Sequence, residues 1–190
     1  MLPRTIAIGG VAAATAALAW VLFVGLPRWY PAERAPVSGA VSGATGSATQ
    51  GRKIRARLFY VSEDGTGLTG VEREVPFGEG VDQAREIIAA QIAQVAEPIV
   101  SAVPPGTTLR GLFLTDRGDA YVDLSGDVIK AHPGGSLSEL LTVYTIVNAL
   151  TANLPAVQAV QILIDGREVA TLAGHVDLSQ PLAKNLEWIQ

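Results

Sequence analysis

A chain of 190 residues with 48% hydrophobic and 17% charged content is long enough for one ordinary folded domain and more apolar than such a domain requires. The formal net charge of -4 argues against a nucleic-acid partner, whose phosphates call for a basic face. With no cysteine, the chain has no disulfide framework, no thiolate metal site and no thiol to carry a lipid.

The surplus apolarity is concentrated in residues 6–26, IAIGGVAAATAALAWVLFVGL, which carry no charge. At ~1.5 Å rise per residue, such a run crosses a ~30 Å hydrocarbon layer as a helix. The expectation is a retained transmembrane anchor within residues 1–29, in contact with the lipid bilayer through residues 6–26. A cleaved leader has an apolar core of only ~7–15 residues with a small-residue cleavage site behind it, whereas PRWYPAER follows Leu26. Trp20, Trp29 and Tyr30 suit a helix that ends at headgroup depth. Arg4 on one side and Arg28 and Arg34 on the other nearly balance the orienting charge bias. A long polar domain after a first apolar helix usually crosses, so the expected location is a single-pass cell-membrane protein, its N-terminus cytoplasmic and its C-terminal domain extracytoplasmic.

Residues 30–51 are rich in Gly, Ser, Ala and Thr and too poor in bulky apolar groups to order themselves, and read as a flexible linker. About 20 such residues reach roughly 25 Å. The folded domain is expected over residues 52–190.

Within it, residues 53–61 alternate Ile54, Ala56, Leu58 and Tyr60 with Arg55, Arg57, Phe59 and Val61, the period of a half-buried strand. After the turn-rich SEDGTGLTG, residues 71–75 alternate again, and an antiparallel pairing sets Glu72 and Glu74 near Arg55 and Arg57. Asp82 is the predicted cap of a helix over 82–96, with Ile87, Ile88, Ile92 and Val95 as its buried stripe. Strands at 109–115 and 120–124 flank the turn Asp116-Arg117-Gly118-Asp119 and form a second predicted hairpin.

The most strongly specified element is a helix from Ser136 to about Leu154. Gly134 and Gly135 permit a sharp turn into it, and Ser136 with Glu139 has the spacing of a capping box. Leu137, Leu140, Leu141, Tyr144, Val147, Leu150 and Leu154 predict one apolar face, with Ser138, Thr142, Thr145 and Thr151 opposite. Pro155 ends it. Residues 157–164 and 167–172 then read as two strands joined by Asp165-Gly166, a turn in which both positions want positive φ. The tail 173–190 is irregular, with Leu178, Leu182, Leu186 and Trp188 as expected anchors.

The order ββαββαββ predicts an α+β fold of two layers: a mostly antiparallel sheet with two helices on one face. It is preceded by the transmembrane helix and the linker. No GxxxxGK[ST] or GxSxG occurs.

Tyr121-Val122-Asp123-Leu124-Ser125, Gly134-Gly135-Ser136 with Glu139, Ile146-Val147-Asn148, residues 160–166 (VQILIDG) and residues 172–177 (LAGHVD) follow one another in the chain. In that order they resemble the GerMN domain of sporulation and spore-germination proteins. The resemblance covers roughly residues 52–182. It implies an extracytoplasmic, non-enzymatic module on a membrane or lipid anchor, with an α/β fold similar to the ring-building motifs of spore secretion complexes and a part in envelope assembly. Some members carry two tandem copies and a lipidated cysteine; this chain has one copy and an apolar helix instead.

The polar residues admit two readings. His132 and His175, with Asp123, Glu139 and Asp177, can be drawn as a catalytic zinc site of two imidazoles and a carboxylate. No HExxH or comparable short pair places two ligands on one element. The structural reading is preferred, with no catalytic, metal or cofactor residues. Gly174 and His175 then hold a loop after the last strand, Asp177 caps its turn, Asp123 and Ser125 close a strand, and Asn148 fastens a loop from mid-helix. Arg52, Lys53, Arg55 and Arg57 form either a docking stripe or a solvated face. The leading function is a protein–protein assembly module with an envelope protein as partner and homo-oligomer formation open to it. A metal-dependent envelope hydrolase and a peptidoglycan-binding module are the alternatives; the latter needs a cluster of exposed aromatics in a groove.

Overall fold

The computed structural model describes residues 51–190. The expected anchor and all but the last residue of the expected linker lie outside the described residues. Among the described residues no helix is long and apolar enough to cross a membrane.

Ten elements follow in order: β1 (Lys53–Val61), β2 (Leu68–Pro76), α1 (Val81–Ile92), β3 (Leu109–Leu114), β4 (Asp119–Leu124), α2 (Asp127–Lys130), α3 (Ser136–Asn153), β5 (Ala159–Ile164), β6 (Arg167–Glu168) and β7 (Leu182–Ala183). The α+β class holds, but the strands form two sheets rather than one. β1 and β2 make an antiparallel hairpin, and β3-β4-β5-β6 make the larger sheet, with β7 also on β5. In the hairpin Arg55 lies opposite Glu74 and Arg57 opposite Glu72, with ion pairs Lys53–Glu74 at 3.1 Å and Arg55–Glu72 at 3.8 Å. All four partners are exposed, so each pair contributes only ~0–1 kcal/mol.

β4 and β5 are parallel, and the other strand pairs among the described residues are antiparallel, in keeping with a mostly antiparallel arrangement. The cause of the parallel pair is α3, which carries the chain back across the sheet so that β5 starts from the same end as β4. Each of the two long helices contacts both sheets: α1 touches β1, β2 and β3, and α3 touches β1, β5 and β7. The helices are thus shared between the sheets instead of covering one face.

This explains why the polar side of α3 is not solvated. Thr142, Thr145 and Thr151 are buried, along with the run Thr145–Thr151, while Leu137 at the first turn is exposed. Each hydroxyl is satisfied locally or across the interface. Thr142 Oγ1, with one proton to give, lies 2.7 Å from Ala102 O and 2.9 Å from Ser138 O, Thr145 reaches Phe59 O at 3.5 Å, and Thr151 donates to Val147 O at 2.8 Å. Two-sided burial requires side chains that are small and can close their own hydrogen bonds, and threonine meets both conditions.

α1 buries Gln83, Ala84, Ile87, Ile88 and Gln91 and stops at Ile92, so Val95 lies beyond it; its N-cap is Gly80, and Asp82 makes no cap. The Asp165-Gly166 turn has φ of 49° and 76°, the left-handed pair that a two-residue hairpin demands. The strand after it is shorter than residues 167–172, for a reason found in Glu139. In the tail Leu178 is buried and Trp188 packs against the core, whereas Leu186 is exposed.

Candidate functional site

Glu139 lies in the first turn of α3 and is fully buried. Its Oε1 accepts the backbone N–H groups of Leu172 at 2.8 Å and Ala173 at 2.9 Å. Its Oε2 accepts the N–H of His175 at 2.8 Å and faces that residue's Nδ1 at 3.2 Å. Burial by itself raises the carboxyl pKa, but the N–H groups of Ala173, His175, Leu172 and Val176 together outweigh it and hold the group below its ordinary value. Gly174, at φ 95°, supplies the left-handed residue in this loop, and its N–H goes to Thr171 Oγ1 at 2.9 Å.

The expected capping box does not form. Gly135 is the N-cap, no side chain caps the helix, and Ser136 is exposed. The carboxylate that would have reached back to one N–H instead meets several converging ones, a stronger set of charge-assisted bonds. The same bonds turn the N–H groups of 172, 173 and 175 toward α3, so the expected strand over 167–172 cannot run to its end.

His175 has its side chain 46% exposed. A carboxylate beside an imidazole Nδ1 is the arrangement that orients a general base in hydrolases. No hydroxyl is hydrogen-bonded to its Nε2 among the described residues. Both Glu139 oxygens are saturated as acceptors, which suits a loop anchor. Asp177 takes the N–H of Ser179 at 2.9 Å and the Ser179 hydroxyl, and these bonds hold its carboxyl below the ordinary value.

His132 is placed separately. Its Nδ1 accepts the Gly134 N–H at 2.9 Å, so a neutral ring carries its proton on Nε2, which lies 3.3 Å from Thr142 Oγ1. Among the described residues no three His, Asp or Glu side chains are grouped so as to hold a metal ion.

A second polar knot lies at the end of β4 and β5. Asp123 accepts the Gly166 N–H at 2.7 Å and meets Arg110 Nε at 3.3 Å, while Asp165 accepts the Gly126 N–H at 3.2 Å and lies 3.5 Å from Arg110. Ser125, buried, accepts the Thr108 N–H at 3.1 Å. Asn148, fully buried in mid-α3, grips the tail: its Nδ2 donates to Asn185 O at 2.7 Å and its Oδ1 accepts the Asn185 N–H at 3.1 Å.

Three further amides do similar work without a sequence signal that marks them. Gln91 pairs through both ends with Phe59 N and O at 2.8 Å, and Asn153 does the same with Arg57 N and O at 2.8 Å. Together with Val100, which accepts the Val61 N–H at 2.9 Å, they close the edge of β1 that β2 leaves open. Gln161 donates to Leu178 O at 2.6 Å. Of the aromatics, Phe113 is 60% exposed, and its ring lies back over Gly111.

Residues 57–170 match the family model Germane, described as sporulation and spore germination. The chain belongs to the Germane family, the GerMN-like domains. No curated protein matches it. Among solved structures, the Germane domain is similar to a Clostridium perfringens protein described as a lipoprotein, at 20% identity and a TM-score of 0.50, covering 78% of this chain and 93% of that one. The first GerMN domain of the sporulation protein GerM from Bacillus subtilis matches at 17% identity and a TM-score of 0.54, covering 68% of this chain and 97% of that one. The tandem GerMN domains of the same protein match at 16% identity and a TM-score of 0.55, covering 70% of this chain and 46% of theirs. These likenesses establish the fold of the Germane domain.

Proposed function

We propose that the chain is a membrane-held, extracytoplasmic module that works by binding other proteins during envelope assembly, sporulation or germination. The family match over residues 57–170 carries this reading. The uncharged residues 6–26 supply an anchor, and a solved protein of similar fold is described as a lipoprotein. The saturated bonding of Glu139 and Asn148 fits a domain whose polar interior serves shape and not turnover. No cofactor is required by it.

The test is site-specific crosslinking in intact cells, with a photoreactive amino acid incorporated in the full-length chain at Glu74, Phe113 or Lys184. The reading predicts discrete protein adducts from at least one position. Lack of adducts from all three, with the protein present in the membrane, would overturn it.

A further inference from the structure

His132 is engaged through both ring nitrogens, and the two contacts ask different things of it. Its Nδ1 accepts the backbone N–H of Gly134 at 2.9 Å, two residues on, in the manner of the asparagine of an Asx turn. Its Nε2 lies 3.3 Å from Thr142 Oγ1 on α3. The segment held in this way has few other ties. Pro133 has no N–H to give, Gly134 and Gly135 have φ of 82° and 87°, and no side chain caps α3. Among the described residues the Gly134 N–H has no acceptor besides the imidazole.

The same segment is a wall. Pro133 lines a cavity of about 170 Å³ with Val61, Ala102, Leu137, Leu141 and Thr142, and no lining residue is charged. Thr142 joins α3 to the loop on the other side, its Oγ1 lying 2.7 Å from Ala102 O. Charged groups on the surrounding elements are engaged elsewhere. On α2, Asp127 pairs with Lys130 at 3.2 Å, and on α3 the carboxylate of Glu139 is taken by the N–H groups of 172, 173 and 175. In the turn between β1 and β2, Asp64 is bonded to Ser62, Thr66 and Gln190, and Glu63 borders a different cavity. Glu97, in the loop that carries Ala102, is exposed. Among the described residues no carboxylate is ion-paired with the His132 ring, whereas His175 has Glu139 beside it.

We propose that His132 is a pH-sensitive latch on the turn into α3. Protonation at Nδ1 replaces the lone pair that receives the Gly134 N–H with a second donor, so that two N–H groups face each other. With no carboxylate at hand to take the new bond, the turn gives way. Gly134 leaves the ring, Pro133 leaves the cavity wall, and the apolar side chains of Val61 and Leu141 open to solvent. Two successive glycines offer no side chains to resist that movement. Apolar surface is thus presented in acid and withdrawn at neutral pH.

The test is solvent exchange of backbone amides, followed by NMR in the full-length protein in detergent. It compares about pH 7.5 with about pH 5, on either side of an ordinary imidazole's titration, after correction for the intrinsic pH dependence of exchange. Protection at Gly134 is expected to fall about ten-fold or more in acid, while the Phe59 amide, bonded to the non-titrating Gln91, keeps its protection. His132→Asn puts an amide oxygen in the place of Nδ1 and should hold Gly134 at both pH values. His132→Phe, with no acceptor, should leave Gly134 unprotected at both, and the asparagine variant keeps the test decisive if the phenylalanine one does not fold. Unchanged protection in the wild type, or an equal fall in the asparagine variant, would overturn the proposal. So would a loss at Phe59 as large as that at Gly134, which would mean global unfolding. None of these outcomes depends on whether crosslinked adducts are found.

Discussion

Glu139 is the residue whose chemistry departs furthest from its local sequence context. Its Ser136-to-Glu139 spacing is that of a helix start, yet the donors it meets lie 33 to 36 residues further along the chain. Nothing in a local window can show that. Replacing it with glutamine keeps the shape but turns an amide donor toward backbone donors, so Glu139→Gln is expected to cost about 3 kcal/mol in urea denaturation at neutral pH. Because its folded pKa is lowered, the carboxylate stabilises the fold at pH values above its unfolded pKa. That contribution is lost as pH falls from the unfolded value through the folded one. The variant should therefore show a shallower acid-side loss of stability than the wild type; an identical slope would assign the acid dependence elsewhere. Asn148 is easier to notice, as a lone amide in an apolar helix, though its partner Asn185 is 37 residues away. Asn148→Leu should cost roughly 2 kcal/mol and speed amide exchange at Asn185, since it strands two backbone groups.

At the scale of elements, alternation and turn chemistry made the first hairpin, the β3–β4 pair and the Asp165-Gly166 turn readable, because each depends on neighbours in the chain. Three features were not readable for the opposite reason. The parallel β4–β5 pairing depends on where α3 crosses, the two-sided burial of α3 depends on a second sheet, and the failure of the expected strand over 167–172 to run to its end depends on Glu139. The closure of β1 belongs with these. Gln91 and Asn153 take the place of a third strand, and no local pattern distinguishes them from ordinary helix amides. Gln91→Met fills similar volume without the two bonds, leaving Phe59 N and O unpaired. About 2 kcal/mol of stability should be lost, read by thermal or chemical unfolding. A neutral result would show that the β1 edge needs no such closure.

At the scale of the molecule, the buried polar groups of the described residues close on one another beside the hydrophobic core. Folding should need no metal, so excess chelator is expected to leave the melting temperature of the full-length protein unchanged; a drop of several degrees would point to a bound ion. The most direct measurement of the whole account is protease treatment of intact cells from outside, followed by sizing of the released material. A tethered extracytoplasmic globule predicts cleavage within residues 31–50 and release of a resistant fragment containing residues 51–190. A chain that stays intact until the membrane is broken would contradict it.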